Sequence, residues 1–150
     1  MPQSLSNILI HLIFSTKERY PYITPAMEVE LYSYISGIGR ELQCPIIKIN
    51  GTPEHLHILF KFPRTETVAH IVEIMKKRSS KWIKTKGDEF RTFQWQAGYG
   101  AFSIGYSNVI PLTKYIENQK EHHKKVTFQV EYRKFLKAYR IEYDERYVWD

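Results

Sequence analysis

The chain has 150 residues, which fits one ordinary domain and allows roughly two thirds of the unfolded surface to be buried. Its single cysteine, Cys44, excludes an internal disulfide, and the sequence has neither a charged-then-apolar leader nor a long apolar run. We therefore expect a cytoplasmic, non-membrane protein with one domain over residues 1–150. Twenty-two Lys and Arg residues against sixteen Asp and Glu residues give a net charge of +6, which favours an anionic partner such as nucleic acid.

The first segment predicts a strand followed by a helix. An apolar, β-branched-rich run from Leu5 to Ser15 is typical of a buried strand. Thr24 followed by Pro25 is a helix-start signal, and apolar residues then recur at helical spacing up to about Glu41.

Two short strands and a second helix come next. The strands, Pro45 to Asn50 and His55 to Phe62, are separated by turn formers at 51–54, so we expect an antiparallel hairpin. Thr65 is positioned to cap the second helix. The apolar stripe of that helix comprises Val68, Ile71, Val72, Met75, Trp82 and Ile83.

The remaining sequence predicts a last strand and further helices. The Gly-broken segment 93–106 supplies the strand, which we place in its Tyr99 to Tyr106 half. A helix then begins near Ser107 to Pro111, since proline is tolerated in a first turn. Another helix lies near Phe128 to Tyr139, whereas residues 141–150 show no clear period.

The element order predicts an α+β fold of the ferredoxin-like or RRM-like type. In this topology two helices cover one face of an antiparallel sheet, and further C-terminal helices follow the last strand. The first and third strands are central neighbours, so His11 should lie beside the strand of His55 and His57. We expect the uncovered face of the sheet to form the site.

Two histidines and a later helix carry the candidate chemistry. Strand side chains alternate between faces, so His55 and His57 point the same way and together can bind one metal ion. A helix would place Tyr115 and Gln119 on one face, as a nucleophile and a third ligand. His122 and His123 lie one turn further, and either could replace Gln119 as a ligand; His11 is better explained as a packed or supporting residue.

The second helix also carries a basic cluster. Such a cluster is by default a solvated face, but on a basic chain it could contact a DNA backbone. Its residues are Lys76, Lys77, Arg78, Lys81 and Lys84.

These residues resemble a known family. His55-Leu56-His57, with a later Tyr115 and Gln119 four residues after it, is similar to the HUH-type single-tyrosine transposases of small insertion sequences, including REP-associated tyrosine transposases. The similarity extends over residues 11–17, 93–103 and 115–123 and covers most of the chain.

The resemblance implies both a reaction and its participants. His55, His57 and Gln119 would be the metal ligands, with Mg or Mn as the ion, and Tyr115 would attack single-stranded DNA to form a 5′-phosphotyrosine intermediate. The expected partners are single-stranded DNA with hairpin ends and a second copy of the chain. In such a homodimer, the helix of Tyr115 can complete the partner's site.

Two alternative functions compete with transposition. One is a domesticated nickase that cuts host repeats, and the other is a non-catalytic single-stranded nucleic-acid binding protein that uses the same sheet topology. The paired histidines disfavour the binding protein, which has no need of metal ligands. A zinc hydrolase is also disfavoured, because the Asp-His that usually accompanies such a motif is absent.

Overall fold

The computed structural model describes residues 2–150 and contains a four-stranded antiparallel sheet. The strands are β1 (Ile8–Ser15), β2 (Ile46–Thr52), β3 (His55–Phe62) and β4 (Gly100–Ile104), in the order β2-β3-β1-β4. The predicted ferredoxin-like topology is therefore confirmed, with β1 and β3 at the centre. The predicted bounds of the first and last strands were too long. Strand β1 begins at Ile8, and β4 ends before the turn at 105–108.

Two helices cover one face of the sheet. Helix α1 (Pro25–Glu41) begins where the Thr24 side chain accepts a hydrogen bond from the Met27 amide. Helix α2 (Val68–Ile83) is capped by Thr67, not by Thr65, because it is Thr67 that accepts from a first-turn amide. The main core lies between these helices and the sheet, and includes Leu12, Phe14, Leu31, Ile35, Leu56, Ile58, Phe60, Ile71 and Met75.

Three C-terminal helices cover the opposite face, which was predicted to be open. They are α3 (Val109–Glu117), α4 (Gln119–His122) and α5 (Phe128–Ala138). One apolar cluster joins Leu9 and Leu59 to α3 residues, and another joins Ile13 and Phe102 to α5 residues. The prediction of an uncovered face was wrong, because α3 and α5 bury their apolar stripes against the sheet.

The last ten residues hold α5 in place. The Trp149 ring packs against Phe128 and Tyr132 of α5, with ring centroids 6.4 and 5.9 Å apart respectively. The Asp150 backbone carbonyl accepts a 2.8 Å hydrogen bond from the Gly98 amide. The segment without a period is therefore packed against both α5 and the loop before β4.

No helix within residues 2–150 has the length and apolar character needed to cross a bilayer.

Candidate metal and nucleophile site

His55 and His57 lie on the same face of β3, as their spacing predicts. Both side chains are 0 % exposed, and they face the C-terminal helices. Leu56 and Ile58 point the opposite way, into the core beneath α1 and α2. The strand therefore separates apolar packing from a buried polar cluster.

Two neighbours orient the imidazoles. Thr52 Oγ1 lies 2.9 Å from His55 Nδ1, and His11 Nε2 lies 2.8 Å from His57 Nδ1. With each Nδ1 engaged, both Nε2 atoms face α4 and α5. Metal-binding histidines are usually oriented in this way, by a hydrogen bond to the ring nitrogen that does not bind the metal. His11 is thus a supporting residue in this arrangement, as expected.

Burial keeps His11 and His55 neutral. It is the main reason that the pKa values of His11 and His55 lie well below the ordinary 6.5, and the proximity of His57 lowers them further. A neutral imidazole is the form that binds a metal ion.

Tyr115 and Gln119 converge although they are not on one continuous helix. Helix α3 ends at Glu117, and Asn118 separates it from α4. Gln119 is fully buried and accepts a 3.1 Å hydrogen bond from His55 Nε2 through its Oε1 atom. The structure thus brings the predicted third ligand to the histidine pair.

Glu131 of α5 lies at the centre of the cluster and was missed from the sequence. Its side chain is 2 % exposed, and its Oε1 atom accepts hydrogen bonds from His57 Nε2 at 2.9 Å and His123 Nε2 at 3.0 Å. Its Oε2 atom accepts from the Gln119 amide at 3.1 Å and from the Tyr115 hydroxyl. Burial by itself would raise the pKa of Glu131, but the hydrogen bonds from His123 and His57 outweigh it and hold the pKa well below its usual range.

A sequence signal for Glu131 did exist. The buried face of α5 carries Phe128, Tyr132 and Leu136, and Glu131 falls on that same face. A carboxylate on the apolar stripe of an amphipathic helix is rarely buried without a partner, so the position indicates a polar site.

His122, the last residue of α4, and His123, which follows it, have different surroundings. The side chain of His123 is 8 % exposed and joins the buried cluster. His122 is 28 % exposed, and its Nε2 atom lies 3.4 Å from both Tyr115 Oη and Glu131 Oε2. His123, rather than His122, is therefore placed with the candidate ligands.

Four side chains offer a set of donors for one metal ion. Single ligand atoms of His55, His57, His123 and Glu131 all lie within 4.8 Å of one another. Imidazole nitrogens combined with a carboxylate oxygen suit a divalent ion, and Gln119 adds an amide oxygen beside His55. The residues present therefore fit the divalent metal ion that the paired histidines predict.

Tyr115 is half-buried at the edge of this cluster. Burial and then the negative charge of Glu131 raise the pKa of its phenol above the ordinary 10. A cleft of about 330 Å³ opens beside it, lined by Tyr115, His122, Glu131, Lys134, Phe135 and Ala138. Solvent therefore reaches the phenol while His55 and His57 stay enclosed.

The basic cluster of α2 lies across the sheet from this cleft and does not form one uniform face. Lys76 Nζ donates to the Gln96 and Gly98 carbonyls at 2.8 and 2.6 Å, and burial lowers its pKa to about 8. Arg78 pairs with Glu41. The three exposed lysines of the cluster are Lys77, Lys81 and Lys84.

Comparison with known proteins identifies the class. Residues 4–119 match the family model described as IS200-like transposase. The chain belongs to this family of HUH-type single-tyrosine transposases, so it is classed with enzymes of DNA transposition. No curated protein sequence matches it.

Solved structures share the fold. A protein from Deinococcus radiodurans R1, described as a transposase, has a TM-score of 0.62 at 18 % identity, covering 79 % of this chain and 98 % of its own. A REP-associated tyrosine transposase bound to a REP hairpin has a TM-score of 0.63 at 16 % identity, covering 84 % of this chain and 74 % of its own.

Proposed function

We propose that this transposase cleaves and rejoins single-stranded DNA through a 5′-phosphotyrosine on Tyr115, at a divalent-metal site that includes His55, His57 and Gln119. The observation that carries the proposal is the convergence of a half-buried, solvent-accessible phenol on a buried cluster of imidazole and carboxylate groups. We infer that residues 1–150 act together as one catalytic domain.

The proposed step exchanges one phosphate ester for another. The Tyr115 oxygen forms a bond to phosphorus while the bond from phosphorus to the 3′-oxygen breaks, and the proton lost by the phenol ends on that 3′-oxygen. A divalent ion, Mg or Mn, would supply charge stabilisation for the phosphate when bound to the histidines. Because one ester replaces another, a different 3′-hydroxyl can reverse the step and join a new strand.

The chain's own groups prepare this reaction. Glu131 fixes the phenol through its hydrogen bond, and Gln119 and the histidines hold Glu131 in turn. Lys134 lines the cleft, where its positive charge can attract a DNA phosphate.

We infer single-stranded DNA with hairpin ends as the substrate and a homodimer as the working assembly. The substrate inference is supported by family membership and by the REP hairpin in the similar structure. The exposed Lys77, Lys81 and Lys84 then contact DNA away from the cleaved phosphate. The non-catalytic binder is disfavoured, because its aromatic platform would need the sheet face that α3 and α5 cover here.

The test compares Tyr115→Phe with the wild type and with Tyr106→Phe, in which a 76 % exposed tyrosine is changed in the same way. Labelled single-stranded hairpin DNA is incubated with each protein and resolved on a denaturing gel. We expect covalent adducts for the wild type and Tyr106→Phe but none for Tyr115→Phe, which should still bind the hairpin. An adduct with Tyr115→Phe would refute the nucleophile assignment.

A further inference from the structure

Glu131 presents its two carboxylate oxygens to two different partners. Oε1 faces the imidazole cluster, 2.9 Å from His57 Nε2, 3.0 Å from His123 Nε2 and 3.6 Å from His55 Nε2. Oε2 faces Tyr115 and Gln119. One side chain thus connects the candidate ligands to the candidate nucleophile.

The surroundings of Glu131 contain no Lys or Arg partner among residues 2–150. The groups that contact its carboxylate are imidazoles, one amide and one phenol. A carboxylate that is 2 % exposed is costly to ionise unless positive charge or hydrogen bonds compensate it. Hydrogen bonds from His57 and His123 supply that compensation here, and a divalent cation bound by the same imidazoles would supply it in their place.

His123 and Glu131 both lie outside the segment that matches the family model, which ends at residue 119. Their place in the site therefore follows from the packing of α5 and the end of α4, not from family membership. Together they change the donor set from two imidazoles and an amide to three imidazoles, an amide and a carboxylate.

We propose that Glu131 is the anionic metal ligand of this chain and that, with His123, it makes the site selective for a transition ion such as Mn²⁺ over Mg²⁺. This inference rests on the proposed function, since it specifies the ion at the same site. Mg²⁺ prefers oxygen ligands and retains much of its water, whereas imidazole nitrogens favour transition metals and a carboxylate suits Mn²⁺.

The experiment titrates Mn²⁺ into the DNA-free protein by calorimetry, so that its readout does not depend on cleavage. Glu131→Gln keeps the shape of the side chain but removes its charge. Glu121→Gln is the matched control, because Glu121 is 66 % exposed and its ion pair is with Lys124. Circular dichroism and urea unfolding of each variant establish that it is folded.

We expect one Mn²⁺ site in the wild type and in Glu121→Gln, and affinity lowered by more than about 100-fold in Glu131→Gln, beyond the usual cost of losing a supporting partner. Glu131→Asp keeps the charge and should bind more tightly than Glu131→Gln. A molar excess of Mg²⁺ should leave Mn²⁺ bound.

Each contrary result has a distinct meaning. Wild-type affinity in a folded Glu131→Gln variant would overturn the ligand assignment while leaving the metal site of the proposed function intact. Displacement of Mn²⁺ by equimolar Mg²⁺ would overturn the selectivity. Absence of Mn²⁺ binding in the wild type would overturn both this inference and the proposed metal site.

Discussion

Gly100 of β4 lies directly against Tyr132 of α5, and adding one methyl group there should disturb the site. A Cβ atom at this position would lie 2.7 Å from Tyr132 Cε2, 2.8 Å from Tyr132 Oη and 2.9 Å from Phe102 Cε2. Tyr132 and Phe102 are 3 and 1 % exposed, so neither ring can swing into solvent. Since Tyr132 follows Glu131 in α5, relief of the clash should displace the carboxylate.

The magnitude follows from two opposing effects. Overpacking of a close-packed core costs about 1–3 kcal/mol, whereas replacing a glycine outside the left-handed region by alanine stabilises by about 0.4–1 kcal/mol, because alanine restricts the unfolded chain. Gly105→Ala gives only the second effect, because the nearest atoms to its Cβ would be 3.8 and 4.0 Å away. The difference between the two variants should therefore be the steric cost, about 1–3 kcal/mol.

Urea unfolding of both variants and the wild type measures this difference. On heating, each kcal/mol should lower the Tm by about 2–4 °C for a domain of this size. We also expect Gly100→Ala to bind Mn²⁺ more weakly than Gly105→Ala, because its α5 is displaced. Equal stability of the two variants would show that the contact between Tyr132 and the sheet is not tight, and the reasoning would fail.

Three further predictions test the site. His55→Ala and His57→Ala should each abolish cleavage in a gel assay but keep most of the hairpin affinity in a mobility-shift assay, because phosphate contacts supply that affinity; wild-type cleavage by either variant would contradict the ligand pair. Because the pKa values of His11 and His55 are lowered on folding, the unfolded chain takes up protons below the ordinary 6.5 while the native chain does not. The free energy of unfolding should therefore decrease by up to about 2.7 kcal/mol per pH unit as the pH falls below that value, and a flat urea-unfolding profile between about pH 7.5 and pH 5.5 would contradict it. Finally, the phenol of Tyr115 here reaches Glu131 of its own chain, so mixed Tyr115→Phe and His57→Ala subunits should stay inactive once subunit exchange is demonstrated; restored activity would establish the shared site that the resemblance implied.

The parts of the site that depend on local spacing were predictable from the sequence. Strand periodicity placed His55 and His57 on one face, and the element order placed β1, with His11, beside them. The spacing of Tyr115 and Gln119 also led to the right neighbourhood, although the helix is interrupted at Asn118. Despite this interruption, the side chains of Tyr115 and Gln119 both reach the carboxylate of Glu131.

The remaining parts depend on contacts between distant segments. The helical spacing of the residues in α2 does not predict that Lys76 donates to the carbonyls at 96–98. Those carbonyls belong to the loop before β4, and the position of that loop is set by the sheet. The closure of the sheet face likewise depends on how α3 and α5 dock. Pattern analysis gave these helices apolar stripes, but the surface each stripe covers is decided by tertiary packing.

The site is completed by residues that lie after the segment matching the family model. Residues 4–119 contain the sheet, the histidine pair, Tyr115 and Gln119. Glu131 reaches the histidines only because α5 packs on β1 and β4 and because Trp149 packs against α5. Any change that loosens this packing should therefore alter the donor set before it unfolds the sheet, since the main core beneath α1 and α2 makes no use of α5.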